Sequence, residues 1–160
     1  MTLKIGDKLP EVTLHIMGES GPQAVTTEEL FGAKKVVLFA LPGAFTPTCS
    51  AKHLPGFIEH AAAIKAKGVD SIICLSVNDV FVMNAWGKEQ NASDKVLMVA
   101  DGNGDFTRAV GLEMDGSGFG MGQRSQRYAL IAQDGIVTAL EIEQPREFKV
   151  SSADAILAKL

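Results

Sequence analysis

Two kinds of apolar pattern follow one another along this chain. Short runs of aliphatic and β-branched residues, some alternating with polar residues and some uninterrupted, indicate β-strands. These runs lie at 12–16, 35–41, 71–77, 96–99, 128–132 and 136–142. The last two are joined by Gln133-Asp134-Gly135, which favours a tight hairpin turn. Gly18 to Pro22 predicts another turn after the first strand.

Apolar residues recur at helical spacing between the strands. The longest such stretch runs from Cys49 to Lys67, and Pro55 is expected to kink the helix that it predicts. A capped helical turn is predicted at 26–31, ending at Gly32. Further helices are predicted after a cap at Asn78-Asp79, at 105–110, and at 151–159.

Strands that alternate with helices, followed by one late hairpin, predict an α/β protein. We expect a mixed central sheet with helices on both faces, an arrangement compatible with a thioredoxin-like fold. The 160 residues are the length of one ordinary domain, and no repeat or linker divides them. The sequence therefore predicts a single domain over residues 1–160.

The charge distribution limits the partners to be expected. The net charge is −4, from 15 basic and 19 acidic residues spread along the chain, and no basic cluster offers a surface for nucleic acid. The longest apolar run, Val36 to Leu41, is far shorter than a membrane span. The N-terminus lacks the apolar region of a secretory signal, and the two cysteines fit a reducing compartment. We therefore expect a cytoplasmic protein with neither nucleic acid nor membrane as partner.

The segment with the clearest chemistry lies between the strand at 35–41 and the long helix. It reads Pro42-Gly43-Ala44-Phe45-Thr46-Pro47-Thr48-Cys49 and brings a cysteine to the start of a helix. The positive end of the helix dipole favours a thiolate, which is the reactive form of cysteine. Thr46 adds a hydroxyl that can donate to, or accept from, a bound oxygen, and the prolines stiffen the loop.

A thiolate at Cys49 is suited to attack on a peroxide. It would displace one oxygen of the O–O bond and become a sulfenic acid, while the leaving oxygen takes up negative charge. That charge needs a fixed cation nearby. Arg127, at the start of the strand predicted at 128–132, is the best candidate because a guanidinium stays protonated and offers a rigid fork of donors.

These residues resemble the signature of a known family. Pro42, Thr46 and Cys49 match the Pro-X3-Thr-X2-Cys pattern of the peroxiredoxins. The segments 76–83 and 124–128 are similar to those of the type II, or five-type, members, and the resemblance extends over essentially the whole chain. It implies a thioredoxin-like fold, with Cys49 as the peroxidatic residue in a pocket completed by Pro42, Thr46 and Arg127.

The resemblance also implies substrates and partners. We expect reduction of hydrogen peroxide and organic hydroperoxides, with thiols supplied by glutaredoxin and glutathione or by thioredoxin, and with no metal, flavin or haem. It further implies a homodimer formed near the active-site loop. Phe45, Phe81 and Trp86 are candidates for interface or pocket-wall residues, and they fit equally well as ordinary core aromatics.

Two interpretations remain open for Cys74. It lies within an apolar strand, where a free cysteine often serves as a small hydrophobic residue. The resemblance to plant and bacterial members instead implies a resolving role, in which Cys74 forms a disulfide with the oxidised Cys49. A disulfide needs close Cα atoms, so we expect the first turn of the Cys49 helix to melt if Cys74 has this role. Otherwise glutathione attacks the sulfenic acid directly.

Other interpretations of the same residues are less favoured. Cys49 and His53 are one helical turn apart, as in some metal sites, but no second Cys/His pair completes such a site. His53 could also act as a base for Cys49. The glycine-rich segment 116–122 predicts a mobile loop that leads toward Arg127. The alternative function is that of a thioredoxin-fold redox sensor or chaperone-like binding protein without peroxidase turnover.

Overall fold

A computed structural model describes residues 2–160 and places a mixed β-sheet at the centre of the molecule. The strands are β1 (Thr13–Gly18), β2 (Gly21–Thr26), β3 (Lys35–Ala40), β4 (Ser71–Ser76), β5 (Leu97–Ala100), β6 (Glu113–Asp115), β7 (Gln123–Ser125), β8 (Tyr128–Gln133) and β9 (Ile136–Ile142). In the described part of the chain, seven of them form the main sheet in the order β2-β1-β5-β4-β3-β8-β9. Strands β3, β4 and β5 run parallel, and β8 is antiparallel to β3.

Helices cover both faces of this sheet. They are α1 (Thr27–Phe31), α2 (Leu54–Glu59), α3 (Ala61–Ala66), α4 (Val80–Glu89), α5 (Asp105–Ala109) and α6 (Ala153–Leu157). Residues of α2, α3, α4 and α6 enclose one apolar core, and residues of α1 and α5 enclose the other. The predicted α/β architecture is confirmed. Among residues 2–160, no helix is both long enough and apolar enough to cross a membrane.

The central strand β3 shows why its sequence is apolar throughout. Val37 and Phe39 point into the core beneath α2 and α4, whereas Val36 and Leu38 point into the opposite core. All four side chains are fully buried. An uninterrupted apolar run is the pattern expected of a strand that is covered on both faces, and the strand predicted at 35–41 corresponds to β3.

The two hairpins were predicted unequally well. Asp134 and Gly135 connect β8 to β9 with φ values of 50° and 77°, the left-handed conformation that a two-residue hairpin turn requires. At the other edge, the turn predicted at 18–22 is shorter, and β2 begins already at Gly21. This strand was not predicted because it lies at the sheet edge, contains Pro22, and buries only Val25.

The long helix predicted from Cys49 to Lys67 is divided into three pieces, which corrects the expectation of one helix with a kink. It opens with a π-helical turn over Cys49–His53, in which the Leu54 N–H donates to the Cys49 carbonyl. Pro55 has no N–H to donate, so the wider turn accommodates it at the start of α2. A second interruption at His60, with φ −95° and ψ 8°, separates α2 from α3.

The glycine-rich segment 116–122 connects two short strands of a hairpin, and its mobility stays a prediction. Strands β6 and β7 pair in antiparallel fashion and flank a single 3₁₀ turn at Ser117–Phe119. The Gly116 N–H donates to the Gly122 carbonyl at 2.6 Å and closes the hairpin. Its strands are three residues long, too short to leave a readable period in the sequence.

Candidate active site

The loop after β3, residues 41–49, lies at the edge of the sheet where the parallel strands β3 and β4 end. Asn78, just beyond β4, joins the two strand ends because its Oδ1 accepts from the Ala44 N–H at 2.9 Å and from the Ser76 hydroxyl at 2.7 Å. The carboxyl edge of parallel strands is where α/β proteins commonly bind their ligands. This loop is called the catalytic loop below.

A tight turn within the catalytic loop sets the position of Thr46. The Thr46 hydroxyl donates to the Gly43 carbonyl at 2.6 Å, which fixes its orientation. Phe45 adopts a left-handed conformation with φ 64°, unusual for an aromatic residue. The chain becomes helical at Pro47, so that Cys49 lies in the first helical turn, as the sequence indicates. Pro42 and Thr46 are both half-buried.

Cys49 and Arg127 are in direct contact. The Cys49 side chain has no exposed surface, and Arg127 Nη2 donates to its Sγ at 3.2 Å. The register of the sheet explains this approach, because Tyr128 of β8 pairs with Ala40 at the end of β3. The structure thus brings together the two residues that the sequence suggested as nucleophile and cation.

His53 holds the other arm of Arg127. Its Nδ1 accepts from Arg127 Nη1 at 2.9 Å, so its Nε2 carries the proton and donates to the Ser151 carbonyl at 3.0 Å. Burial, and then the charge of Arg127, lower the pKa of His53 to about 3, although the bond to Ser151 partly opposes them. The imidazole is therefore neutral with both nitrogens engaged, which disfavours its interpretation as a metal ligand or as a base for Cys49.

Two residues near Arg127 and His53, Phe148 and Glu143, were missed by the sequence analysis. Phe148 lies over the guanidinium of Arg127, 5.8 Å from ring centroid to Cζ, and its ring meets that of His53 at 5.0 Å. Nearby, burial of Glu143 opposes ionisation, but hydrogen bonds from Ser151 and its neighbours outweigh this and lower the pKa of the carboxyl below its ordinary value. No local motif marks either residue, because their contacts depend on the folded path of the chain.

The hairpin β6–β7 packs against the catalytic loop. Arg124 of β7 donates from Nη1 to the Val77 carbonyl at 3.1 Å and from Nε to the Met121 carbonyl at 2.9 Å. A methyl group added at Gly43 would lie 3.2 Å from Arg124 Nη1 and 3.4 Å from Met121 Cε. Gly43 therefore allows the hairpin to approach the turn that orients Thr46.

Cys74 lies inside the sheet rather than at its edge. It is fully buried in β4, between Phe39 of β3 and Met98 of β5. Burial, and then the proximity of Cys49, raise the pKa of the Cys74 thiol well above its ordinary value. Neither cysteine forms a disulfide within the described chain. Cys74 is thus a buried, protonated thiol in a central strand of the sheet.

The three aromatic residues suggested for an interface or pocket wall differ in exposure. Trp86 is fully buried and donates from Nε1 to the Ser50 hydroxyl at 3.0 Å, so it is a core residue that supports the Cys49 turn. Phe45 is 52% exposed, and its ring lies 6.3 Å from that of Trp86. Phe81, in the first turn of α4, is 63% exposed.

Fold and site together define a class of protein. A cysteine at the start of a helix and in contact with an arginine is typical of thiol-based redox proteins. The Redoxin family model matches residues 4–157. A structure of reduced Prx3 from Vibrio vulnificus in complex with H2O2 is 55% identical, covers 99% of both chains, and superposes with a TM-score of 0.95. This similarity confirms the thioredoxin-like fold.

Curated relatives narrow the class further. Peroxiredoxin-2B from Arabidopsis thaliana is 50% identical over 159 residues, covering 99% of this chain and 98% of the relative. Peroxiredoxin-2E-2, chloroplastic, from Oryza sativa subsp. japonica is 52% identical over 99% of this chain and 73% of its own length. The chain belongs to the Redoxin family and, within it, to the type II peroxiredoxins. It is a thiol-dependent peroxidase, an oxidoreductase, as its sequence indicates.

Proposed function

We propose that Cys49 is the residue that attacks the peroxide, with Arg127, Thr46 and Pro42 completing its pocket. The observation that carries this proposal is the contact between Arg127 Nη2 and Cys49 Sγ at 3.2 Å. Cys74, the other cysteine, has a raised pKa and lies in the middle of β4, so it is the poorer nucleophile.

The proposed reaction requires no group beyond the side chains already described. The Cys49 thiolate attacks one peroxide oxygen, an S–O bond forms as the O–O bond breaks, and Cys49 becomes a sulfenic acid. The second oxygen leaves with the bonding electron pair and takes up a proton, giving water or an alcohol. Arg127 stabilises the negative charge as it moves from sulfur to the leaving oxygen, because its guanidinium is already in place.

Thr46 and Pro42 position the substrate in this proposal. Because the Thr46 hydroxyl donates to the Gly43 carbonyl, its oxygen has lone pairs available to accept from a peroxide O–H. Pro42 carries no N–H that would hold water at the mouth of the pocket. We expect both hydrogen peroxide and organic hydroperoxides as substrates, and the relative from Vibrio vulnificus has been observed with H2O2.

Intact mass under non-reducing conditions tests the role of Cys49. One equivalent of hydrogen peroxide is added to the reduced protein, to Cys49→Ser, and to Cys74→Ser as the matched control. We expect the wild-type protein and Cys74→Ser to react quickly, and Cys49→Ser not to react. Rapid oxidation of Cys49→Ser, or no change in the wild-type protein, would show that Cys49 is not the peroxidatic residue.

The sulfenic acid must then be reduced by a second thiol. Cys49 has no exposed surface, so the turn over Cys49–His53 must loosen before any thiol can reach it. We expect the opening at this π-helical turn because its hydrogen-bond pattern differs from that of the α-helix that follows. Two routes are possible for this step. Either Cys74 provides the thiol and forms a disulfide within the chain, or the thiol comes from outside, from glutathione with glutaredoxin or from thioredoxin. Each route releases water as a disulfide forms at Cys49. Thiols supplied by glutaredoxin and glutathione or by thioredoxin then reduce that disulfide and restore the Cys49 thiol.

The same mass measurement distinguishes these routes. Loss of two hydrogens within one chain, absent in Cys74→Ser, would assign the resolving role to Cys74. Gain of one oxygen, followed by addition of glutathione when it is supplied, would leave Cys74 as a packing residue. Full turnover of Cys74→Ser with glutaredoxin and with thioredoxin would exclude an essential resolving role.

The protein is also proposed to form a homodimer through the face that carries the catalytic loop. Phe45 and Phe81 expose their rings, and Asn78, which precedes α4, accepts from the Ala44 N–H in the loop that carries Phe45. Exposed aromatic residues are enriched at protein interfaces. We expect Phe81→Arg to shift the sedimentation of the protein to that of a monomer, whereas Phe119→Arg, at an even more exposed aromatic residue on the β6–β7 hairpin, should not.

Residues 1–160 are proposed to form a single domain that works in the cytoplasm. Support for one domain comes from the main sheet, whose strands span residues 13–142. Support for a reducing compartment comes from Cys49 and Cys74, which are free thiols. Relatives of the chain include chloroplastic proteins, so subcellular fractionation is the measurement that decides.

A further inference from the structure

A single carboxylate oxygen organises the segment between β9 and α6. Glu143 Oε2 accepts from the N–H groups of Lys149, Val150 and Ser151 at 2.7, 2.9 and 2.9 Å. It also accepts from the Ser151 hydroxyl at 2.7 Å. The residues 144–151, called the strap below, are thereby folded back onto the residue from which they start.

The strap closes a circuit of hydrogen bonds that includes the catalytic contact. Its last residue, Ser151, accepts from His53 Nε2 through its carbonyl, and His53 Nδ1 accepts from Arg127 Nη1. The Glu143 N–H donates to the Arg127 carbonyl at 3.0 Å, so Glu143 is bound to both ends of the circuit. Glu143, Ser151, His53 and Arg127 are thus joined in a ring of hydrogen bonds, in which each residue restricts the orientation of the next. From this ring, Arg127 donates to Cys49 Sγ.

The carboxylate of Glu143 accepts hydrogen bonds from backbone N–H groups rather than forming an ion pair. Its residue is 6% exposed, and none of the ion pairs within residues 2–160 includes it. A buried carboxylate that accepts several N–H groups makes charge-assisted hydrogen bonds, which are stronger than neutral ones. The segment that it holds has no helix or strand of its own, and these bonds hold its residues 149–151 against Glu143.

The tautomer of His53 depends on two contacts: Nδ1 accepts from Arg127 Nη1, and Nε2 donates to the Ser151 carbonyl at the end of the strap. If the Ser151 carbonyl moved away, Nε2 would lose its acceptor, and the proton could move to Nδ1. An N–H at Nδ1 would then face Arg127 Nη1, where two donors repel each other instead of forming a bond. Arg127 would lose the contact that sets the orientation of its guanidinium plane against Cys49.

We propose that Glu143 is a positioning residue for peroxide reduction, acting through the strap, His53 and Arg127. It touches neither the substrate nor the reacting sulfur. This inference rests on the proposed roles of Cys49 and Arg127, and it adds a requirement that the Pro-X3-Thr-X2-Cys motif does not contain.

Two readouts test the proposal with Glu143→Ala and Glu143→Gln. The first is the tautomer of His53 in the reduced protein, observed from the ¹⁵N shifts of the imidazole without peroxide. The second is the second-order rate constant of the reduced protein with hydrogen peroxide. Glu147→Gln is the matched control, because Glu147 lies in the same strap with a side chain that is 42% exposed and pairs with Lys149 at 3.4 Å.

We expect wild-type protein and Glu147→Gln to show His53 protonated at Nε2. Glu143→Ala should lose this single tautomer. Its rate constant should fall by about tenfold or more, because small displacements of catalytic groups slow a reaction by such factors. Glu143→Gln should recover part of both properties, because its amide oxygen can accept some of the same bonds. If Glu143→Ala does not fold, Glu143→Gln should still show a lower rate constant and a mixed tautomer.

Two results would overturn the proposal. One is an unchanged tautomer and rate constant in the folded Glu143 variants. The other is a lower rate constant with the tautomer of His53 unchanged, since Glu143 would then act by another route. Failure of the proposed role of Cys49 is recognised separately, because peroxide would then be reduced by Cys49→Ser while the tautomer measurement is unaffected.

Discussion

Arg127 makes two contacts that a simpler cation could not make together. One arm of its guanidinium donates to Cys49 Sγ, and the other donates to His53 Nδ1. A fork of donors in one plane allows the second contact to orient the first. The positive charge is thus held in a fixed direction relative to the sulfur, which a flexible ammonium would not achieve.

Replacement of Arg127 by lysine separates charge from geometry. We expect Arg127→Lys to retain a positive charge but to lower the rate constant with hydrogen peroxide by on the order of 10²-fold, because a lysine cannot contact Cys49 and His53 at once. Stopped-flow measurement on the reduced protein gives this rate constant. Arg108→Lys, at a partly exposed arginine of α5, controls for the exchange itself. A rate constant for Arg127→Lys within twofold of wild type would mean that charge alone is sufficient.

At the scale of elements, the catalytic loop depends on a hairpin that carries no catalytic side chain. Arg124 and Met121 of the β6–β7 hairpin approach Gly43, whose carbonyl accepts a hydrogen bond from the Thr46 hydroxyl. Between these groups there is no space for a side chain. The glycine in the Pro-X3-Thr-X2-Cys segment is therefore explained by close packing.

Gly43→Ala tests this packing. Its methyl group would lie 3.2 Å from Arg124 Nη1, 3.3 Å from Thr46 Cγ2 and 3.4 Å from Met121 Cε, so one of these groups must move. We expect the peroxide rate constant to fall by about tenfold and the free energy of unfolding to fall by about 1 kcal/mol. Gly118→Ala is the matched control, because its added methyl group meets nothing within 4 Å. Equal rate constants for the two variants would contradict the packing argument.

The elements that the sequence predicted are those whose own residues determine them. Strand β3 is apolar because both of its faces are covered, and the Asp134-Gly135 turn needs only two residues with positive φ. The capped turn of α1 is also local, since the Thr26 hydroxyl accepts from the Glu29 N–H and the Glu29 carboxylate accepts from the Thr26 N–H. In contrast, β2 and β7 bury too few side chains to show a period.

The sequence predicted the motif residues of the candidate site and Arg127, but not the residues that surround Arg127. Pro42, Thr46 and Cys49 lie within one short segment, and Arg127 was inferred from chemistry and resemblance. Glu143 and Phe148 could not be inferred, because their roles depend on how the strap lies against a helix that is distant in sequence. Long-range contacts of single side chains leave no repeated pattern in a sequence.

The acid stability of the whole molecule should also reflect the buried histidine. His53 has a pKa of about 3 in the folded protein and about 6.5 when unfolded, so between these values only the unfolded chain binds a proton there. The folded state therefore loses stability as the pH falls below about 6.5. Glu143, whose folded pKa is also lowered, adds a loss in the same direction at lower pH.

We expect the free energy of unfolding of the wild-type protein to fall by about 2 kcal/mol from His53 alone between pH 7 and pH 5, since each pH unit contributes up to about 1.4 kcal/mol. Urea denaturation at several pH values measures this slope. His53→Gln should remove that part of the slope, even if the variant is less stable at pH 7. His15→Gln controls for the loss of an imidazole at an exposed site. An equal slope for wild type and His53→Gln would mean that His53 does not resist protonation in the folded protein, and that Arg127 is not held by a neutral imidazole.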